Sequence, residues 1–365
     1  MVLVSILNLH NVIHHGEVRY AFSGWTVPFG IEWVADGLAS IILVLLSSLG
    51  LLGVVFTGST SPKDLGGRIV HYYTLILLLV SALTGIAFAG DLFNLFVFLE
   101  VAAISSYALI GVAGGRALFA AFRYLILGTL GASLYLLGVS YLYTVTGTLN
   151  MSDMVDKIPL LLSSKALVGG LIFMFIGLGI KMALVPFHTW LPEAYTHAPE
   201  SISPILSSLV TKVALLAWIR IVYWVLNASI AINDIPILLL VAALGTLAAV
   251  IGASLALAQR DLKMLFAYGG ISHIGIILIG IGQGNQTGFA GGVFYLLNDA
   301  VMQAGLFFLA GVAFCRYGVR TVDDLGRVGK QAPWLTGALI VMALGMVGLP
   351  PTGGFFGKWY IILGA

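Results

Sequence analysis

Three ionisable residues stand in stretches of the chain that are otherwise apolar. Glu100 lies in LFNLFVFLEVAAISSYALI, Lys181 in LIFMFIGLGIKMALVPF, and Lys212 in ISPILSSLVTKVALLAWI. Each stretch is long and apolar enough to cross a bilayer, where a charge at mid-depth costs about 3 kcal/mol. Ionisable residues inside membrane segments mark ion paths or proton relays. One acid and two bases in such positions therefore predict the translocation of protons or other ions.

Composition indicates the class of protein in which these charges must be positioned. The chain is 60% hydrophobic, only 9% charged, and has a mean hydropathy of +1.06, whereas about 25% of the residues of a soluble domain are charged. This composition predicts an all-α, polytopic membrane bundle. The single cysteine, Cys315, excludes an internal disulfide or an iron–sulfur site in this chain. No dinucleotide fingerprint or CxxC motif is present, so we expect no cofactor in the chain, and the net charge of +2 gives no reason to expect nucleic acid.

A membrane span needs about 20 mostly apolar residues. By this criterion residues 1–365 form a single transmembrane domain with ten full spans, at 31–57, 69–89, 92–113, 118–146, 166–190, 202–227, 235–258, 264–283, 288–314 and 334–350. The first 13 residues are too short to cross alone, and the last residues begin an apolar run and stop. We therefore expect partial spans at both ends.

Lysine and arginine counts predict the orientation of the spans, because basic loops face the cytoplasm. One set of alternate loops is strongly basic and contains Lys63, Arg68, Arg116, Arg260, Lys263, Arg316, Arg320, Arg327 and Lys330. The other set contains two lysines beside four acids: Lys157, Lys165, Asp91, Asp153, Asp156 and Asp234. We expect the first set to be cytoplasmic.

Two spans contain prolines that predict breaks. The segment VPFHTWLPEAYTHAPE follows Lys181, and the segment GLPPTGGFFG precedes Lys358. Proline removes a backbone donor and clashes with the preceding turn, so a helix ends or kinks there. Corresponding breaks in the two halves of a chain are typical of transporters built from inverted repeats. The alternative is that these prolines merely end spans near the membrane surface.

Four motifs together resemble the antiporter-like subunits: GDLFNLFVFLEVAAISSYALIG, GLGIKMALVPFHTWLPEAYTHAPESISPILSSLVTKVALLA, DLKMLFAYGGISHIGIILIG and GLPPTGGFFGKWYI. That family covers Mrp sodium/proton antiporters, the membrane arm of complex I, and membrane-bound hydrogenases and sulfane reductases. The D-type subunit of Mrp antiporters is the most similar. The resemblance implies two inverted five-helix repeats with broken helices, here a first half-channel at 60–227 and an incomplete second one at 235–365. It also implies truncation at both ends relative to the family.

The resemblance assigns roles to the charged residues. Glu100 and Lys181 match the family's buried acid–lysine pair, Lys212 its bridging basic position, and Lys358 the terminal charge of the second half-channel. A lysine that loses its carboxylate partner releases its proton more readily, so the pair can carry protons. The alternatives are a static ion pair that joins two helices and, for Lys358, a lysine that reaches from a helix end to the membrane surface.

Histidines and one departure from the family pattern complete the predicted path. His273 lies near the centre of a span, and histidine as a residue type can relay protons readily. The alternative for His273 is a buried histidine bonded to a backbone carbonyl. His188 lies in the first break, where we expect it to hydrate the access path. Gln303 stands where the family usually has a lysine, and Asp299 lies one helical turn before it. We therefore expect the second half to relay protons through Asp299 and water, or to be a degraded channel.

Three functions fit these residues. The first is a subunit that translocates protons, or sodium and protons, within a multisubunit complex in the plasma membrane of a prokaryote. The second is the ion-pumping membrane subunit of a ferredoxin-linked oxidoreductase, whose iron–sulfur or nickel–iron centres would lie in partner subunits. The third is a structural subunit that does not conduct. All three predict other membrane subunits and the lipid bilayer as partners, and the buried acid and lysines favour the first two.

Overall fold

The fold was analysed on a computed structural model that describes residues 1–60 and 69–365. Lys63 and Arg68 of the predicted cytoplasmic set lie outside the described residues. Helices account for nearly all of the regular structure, and we number them in chain order: α1 Val2–His15, α2 Gly37–Thr60, α3 Ile69–Phe88, α4 Leu92–Gly111, α5 Arg116–Thr146, α6 Met151–Lys157, α7 Lys165–Lys181, α8 Leu191–His197, α9 Ser203–Ile205, α10 Thr211–Arg220, α11 Ala228–Asn233, α12 Ile237–Leu257, α13 Leu262–Gly282, α14 Gln286–Tyr317, α15 Leu325–Gln331, α16 Pro333–Val347 and α17 Gly353–Gly364. This architecture confirms the predicted all-α membrane bundle.

Eight helical segments of the described chain are long and apolar enough to cross a membrane. They correspond to eight of the ten predicted spans. The other two predicted spans, 166–190 and 334–350, contain shorter helices of 17 and 15 residues, α7 and α16. These are the two spans in which prolines predict breaks, and their helices are short because the backbone hydrogen bonding is interrupted there.

A small antiparallel hairpin lies between α1 and α2 in the chain, and the sequence did not predict it. Strand β1, Val18–Ala21, pairs with β2, Glu32–Ala35. The first predicted span, 31–57, therefore begins too early, because α2 starts only at Gly37. Glu32 explains the difference: its side chain is buried and accepts a hydrogen bond from Asn150 at 3.1 Å. This long-range contact holds the segment as a strand.

Glycines allow the helix that carries Lys181 to pack closely on its neighbour. A Cβ atom at Gly138 of α5 would lie 2.5 Å from the Gly170 carbonyl oxygen of α7, and one at Gly177 would lie 2.6 Å from the Gly131 carbonyl. Only glycine fits such approaches, and small residues at helix contacts are the usual means of close packing in membranes. The α5–α7 pair is therefore a rigid support for the end of α7.

Both predicted breaks are present. Helix α7 ends at Lys181, and the chain continues through a short 3-10 turn, Phe187–Trp190, into α8. Helix α16 ends at Val347, and α17 begins at Gly353. The span Ser203–Val225 lies at the centre of the bundle, with 94% of its apolar stretch buried. It contains a π-helical turn, Leu206–Val210, directly before Lys212.

Candidate proton-relay site

Glu100 and Lys181 form the ion pair that their sequence positions predict. The Lys181 Nζ atom lies 3.0 Å from Glu100 Oε1, and the lysine side chain is only 6% exposed while that of the glutamate is 27% exposed. Lys181 is the last residue of α7, where unpaired carbonyls favour a positive charge. The Trp190 indole donates a hydrogen bond to the Ile180 carbonyl at 2.9 Å, which fixes the backbone beside the lysine. The break thus positions Lys181 against α4.

Lys212 is held by the irregular backbone before it. Its Nζ donates to the Ser207 carbonyl at 2.7 Å and lies 2.8 Å from Asp299 Oδ2. Ser207 belongs to the π-helical turn, and such turns interrupt regular helices frequently at functional sites. Both Lys212 and Asp299 are buried, at 3% and 0% exposure of their side chains. Two opposite charges are therefore paired deep inside the protein, as buried charges require.

Asp299 joins two elements of the second half to Lys212. Its Oδ1 atom lies 3.0 Å from Nδ1 of His273 on α13. The Tyr295 hydroxyl, one turn earlier on α14, lies 3.0 Å from the same His273 nitrogen. Nδ1 donates a hydrogen bond when it carries a proton and accepts one when it does not, so a protonated Nδ1 donates to Asp299 and an unprotonated Nδ1 accepts from the Tyr295 hydroxyl. The cluster can therefore hold a proton in more than one arrangement.

Lys358 closes this chain of polar groups at the second break. Its Nζ donates to the Met346 carbonyl at 2.9 Å and to the Val347 carbonyl at 3.1 Å, the last residues of α16. It also lies 5.5 Å from the centre of the Tyr295 ring. The Tyr295 hydroxyl is 3.5 Å from the same Met346 carbonyl. Lys358 is therefore bound to the free carbonyls of a broken helix rather than extended to the membrane surface.

Gln303 does not join Asp299, although the two share one helix face. Its Nε2 donates weakly to the Phe266 carbonyl at 3.4 Å, and its Oε1 is buried without a hydrogen-bond partner among the described residues. The sequence predicted a relay through Asp299 and water rather than through Gln303, and in the structure Asp299 lies against Lys212 and His273. The pairing of Asp299 with Lys212 and the contact of Tyr295 with His273 were not predicted from the sequence. The spacing of Tyr295, Asp299 and Gln303, each one turn apart, is the signal that marks the shared face.

The structure does not connect every predicted residue. His188 lies in the 3-10 turn of the first break, and its buried Nδ1 has no hydrogen-bond partner among residues 1–60 and 69–365. The polar contacts of Lys181 and Lys212 in the same residues are to different partners, Glu100 for Lys181 and Ser207 with Asp299 for Lys212. Lys181 does share the lining of a narrow cavity with Val210 and Ala214, which flank Lys212 in sequence. Transfer between the two lysines would therefore need a water molecule or a movement of side chains.

Two arginines within spans have structural partners. Arg220 is buried, pairs with Asp36 at 2.6 Å, and donates to the Ala87 and Ala89 carbonyls at 2.8 and 3.0 Å. Arg123 pairs with Glu193 at 2.7 Å. An arginine stays protonated in proteins, so neither residue can relay a proton. Both ion pairs instead join elements that are far apart in sequence.

A protein-family model described as NADH:quinone oxidoreductase/Mrp antiporter, transmembrane, matches residues 89–365. The chain belongs to this family. It is 42% identical over 351 residues to NADH-quinone oxidoreductase subunit N of Desulforudis audaxviator, covering 95% of this chain and 69% of the relative. It is 32% identical over 366 residues to the D-type subunit of the Na(+)/H(+) antiporter of Alkalihalophilus pseudofirmus, covering 100% of this chain and 73% of the relative.

Solved structures of the NADH:quinone oxidoreductase/Mrp antiporter family share the fold. A chain of the membrane-bound sulfane sulfur reductase, an archaeal respiratory membrane complex, matches with a TM-score of 0.92 and 31% identity, covering 100% of this chain and 74% of that one. These matches confirm the resemblance and the antiporter-like fold drawn from the sequence motifs. Together with the eight apolar helices, they make the chain a polytopic membrane protein of this family.

Proposed function

We propose that this chain translocates protons as an antiporter-like subunit of a multisubunit complex in the plasma membrane of a prokaryote. The observation that carries the proposal is the buried series of contacts from Lys212 through Asp299 and His273 to Tyr295. Every link in it is between 2.8 and 3.0 Å. Charged groups in membrane segments are costly to insert, and a purely structural role does not need four titratable side chains in succession.

Glu100 and Lys181 act as the proton-loading pair of the first half, residues 60–227. The carboxylate at 3.0 Å favours the charged ammonium, whereas the apolar surroundings favour the neutral amine. A movement that separates the two side chains therefore releases a proton from Lys181. Glu100 is the more exposed partner, so it is the one that a neighbouring subunit can reach.

Lys212 passes the proton into the second half, residues 235–365. When Lys212 is charged, Asp299 is its counter-ion. If its proton moves to His273, the imidazolium replaces the ammonium as the partner of Asp299. The carboxylate therefore remains paired at each stage, which avoids an isolated buried charge. Lys358, beside Tyr295, ends the route at the second break, and Gln303 serves only as a polar neighbour.

The test is proton transport by the Asp299→Asn variant. The complex that contains this chain would be reconstituted in vesicles with an internal pH indicator. We expect transport to fall about 100-fold or more, within the range contributed by a positioned proton-transfer group. The amount of assembled complex, measured by size-exclusion chromatography, controls for folding. An assembled Asp299→Asn complex with normal proton transport would refute the proposal.

A redox-driven pump is the second candidate, and a specific observation favours it. The relative with 42% identity is named as a subunit of NADH-quinone oxidoreductase, and the sulfane sulfur reductase chain has the same fold. In this case the proton route is unchanged, and the redox cofactors would lie in partner subunits. Iron–sulfur proteins that co-purify with the chain would identify this arrangement, whereas a complex without them is a stand-alone antiporter.

A further inference from the structure

A tyrosine of the first break contacts the irregular turn before Lys212. Tyr195 lies in α8, and its side chain is buried. Its hydroxyl donates a hydrogen bond to the Leu206 carbonyl at 3.0 Å. Leu206 is the first residue of the π-helical turn, Leu206–Val210. The proposed relay does not include this tyrosine, so its contact with the turn needs a separate explanation.

The next carbonyl of the turn is the one that binds Lys212. The Ser207 carbonyl accepts a hydrogen bond from Lys212 Nζ at 2.7 Å. A π-helical turn departs from the hydrogen bonding of a regular α-helix, and here two consecutive carbonyls accept side-chain donors. Because peptide units are planar, only the φ and ψ angles of Ser207 separate these two carbonyls. The direction of the Leu206 carbonyl therefore constrains the direction of the Ser207 carbonyl that faces Lys212.

Tyr195 is itself held in place by three neighbours. Its ring makes edge-to-face contacts with two buried aromatic rings, Trp190 of the same break and Phe307 of α14, at centroid distances of 6.2 and 6.1 Å. Aromatic pairs of this geometry attract each other beyond the effect of burial alone. The backbone carbonyl of Tyr195 accepts a hydrogen bond from the Ser203 hydroxyl at 2.8 Å. The Tyr195 hydroxyl is therefore carried by a fixed ring.

The first break also holds the backbone beside Lys181. Trp190, which packs on Tyr195, donates a hydrogen bond to the Ile180 carbonyl at 2.9 Å. One short segment thus supports the carbonyl before Lys181 and the carbonyl that opens the turn before Lys212. A shift of this segment would change the surroundings of both lysines together.

Water cannot take the place of the Tyr195 hydroxyl. Tyr195, Ser207 and Lys212 share the lining of one internal gap, which is too small to hold a water molecule. A buried acceptor that loses its donor and cannot be hydrated is left at a cost in free energy. Removal of the hydroxyl would therefore leave the Leu206 carbonyl free to turn, and the Ser207 carbonyl would turn with it.

We propose that Tyr195 is a positioning residue for Lys212. Its hydroxyl fixes the Leu206 carbonyl, and the π-helical turn then directs the Ser207 carbonyl at the Lys212 ammonium. Held in this way, Lys212 Nζ stays 2.8 Å from Asp299, the contact through which the relay begins in the second half. Tyr195 itself transfers no proton. This inference rests on the proposed function.

Three variants at two tyrosines test this role. Tyr195→Phe keeps the ring and removes the hydrogen-bond donor. The amino acid p-aminophenylalanine, introduced at position 195 by suppression of a stop codon, restores a donor at the same place without the acidic proton of a phenol. Tyr135→Phe is the matched control, because Tyr135 is also buried and its hydroxyl also donates to a backbone carbonyl, that of Leu92, at 3.1 Å. Proton transport and thermal unfolding of each variant would be measured in the reconstituted complex beside Asp299→Asn.

We expect Tyr195→Phe to slow proton transport about tenfold, because a small displacement of a positioned group has effects of that order or larger. Tyr135→Phe should transport within about twofold of the parent and unfold at a temperature similar to that of Tyr195→Phe, since each loses one buried hydrogen bond. The complex with p-aminophenylalanine at position 195 should recover most of the parent's transport rate.

Equal slowing by Tyr195→Phe and Tyr135→Phe would mean that general destabilisation is responsible, and it would overturn the positioning role. A p-aminophenylalanine complex as slow as Tyr195→Phe would show that the donor alone is not sufficient, which also overturns this role. If Asp299→Asn stops transport while Tyr195→Phe does not slow it, the relay stands and the positioning role is wrong. If neither substitution slows transport, the proposed function fails as well.

Discussion

At the scale of single residues, the site depends on pairs of opposite charge in which each partner stabilises the other. Lys181 has Glu100, and Lys212 has Asp299, which also contacts His273. Removing one member of a buried pair leaves an uncompensated charge that costs about 3–5 kcal/mol. In the proposed relay, stability and proton transfer therefore depend on the same atoms.

Lys181→Ala should assemble but lose most proton transport. The substitution removes a group that can carry a proton and leaves Glu100, which is partly exposed, free to take up a proton and become neutral. Transport in reconstituted vesicles is the measurement. Lys165→Ala is the control, because this lysine begins the same helix and is exposed. Near-normal transport by Lys181→Ala would reduce the pair to a static link between two helices.

Gln303→Lys tests the partnership of Asp299 with Lys212. The new ammonium would lie one turn from a carboxylate that already has a cationic partner, so we expect the single variant to lose stability by several kcal/mol. In the double variant with Lys212→Met, the new lysine can replace Lys212 as the partner of Asp299. The thermal stability of the double variant should therefore exceed the additive expectation. Strict additivity would show that Asp299 is not the group through which the two positions interact.

At the scale of elements, irregular backbone positions the site. Lys181 ends a broken helix, Lys212 follows a π-helical turn, and Lys358 binds the last carbonyls of α16. In a regular helix the backbone carbonyls accept hydrogen bonds from backbone amides of the same helix. A regular helix at each of these positions would therefore have left fewer carbonyl acceptors for a buried ammonium. Backbone of this kind persists at membrane depth only where the protein satisfies it.

Arg220 joins the central span to the hairpin end of the bundle, and its loss should weaken that connection. Arg220→Met would leave Asp36 and two carbonyls without their donor, so we expect the complex to lose about 3–5 kcal/mol of stability. Thermal unfolding of the complex in detergent measures this loss of stability. Arg123→Met is the matched control, because its pair with Glu193 is more than one-third exposed and should contribute about 1 kcal/mol or less. Equal effects of the two substitutions would contradict the structural role of Arg220.

At the scale of the whole molecule, the alternating loops collect at two ends of the bundle. Arg116, Lys263 and Arg320 line one cavity, whereas Asp36, Asp156 and Arg220 line another, formed by the loops at the opposite ends of the helices. The grouping agrees with the two sets of alternate loops, and the assignment of the basic set to the cytoplasm stays a prediction. The partly exposed Asp153 and Lys157 form an ion pair at 2.9 Å on the second side, and this pair lowers the pKa of Asp153. That carboxylate remains charged at neutral pH.

The predicted orientation can be measured with single cysteines. In a Cys315→Ser background, a cysteine replacing Arg327 should react with a membrane-impermeant thiol reagent only from the cytoplasmic side. A cysteine replacing Asp156 should react only from outside. Right-side-out and inverted vesicles separate the two cases. Labelling of both positions from one side would mean that a span has been assigned wrongly between them.

The sequence by itself determined the spans, the two breaks and the Glu100–Lys181 pair. Hydrophobic length and proline act locally, so spans and breaks can be read from neighbouring residues. The ion pair was predicted from motifs that resemble a family. The 3.0 Å distance between Lys181 Nζ and Glu100 Oε1 agrees with that prediction. The β-hairpin could not be predicted in this way, because its stability depends on Glu32 and Asn150, which are 118 residues apart.

Only the tertiary structure decided which groups Asp299 contacts. The sequence pattern predicted a relay through Asp299 and water, with Gln303 one turn away on the same helix, yet the partners of Asp299 are Lys212 and His273 on two other helices. The physical reason is that a buried carboxylate must find a cation, whereas an amide cannot neutralise it. Lys212 reaches Asp299 because the π-helical turn holds its Nζ against the Ser207 carbonyl. Which side chains meet was therefore set by helix packing and backbone irregularity, neither of which appears in the local sequence pattern.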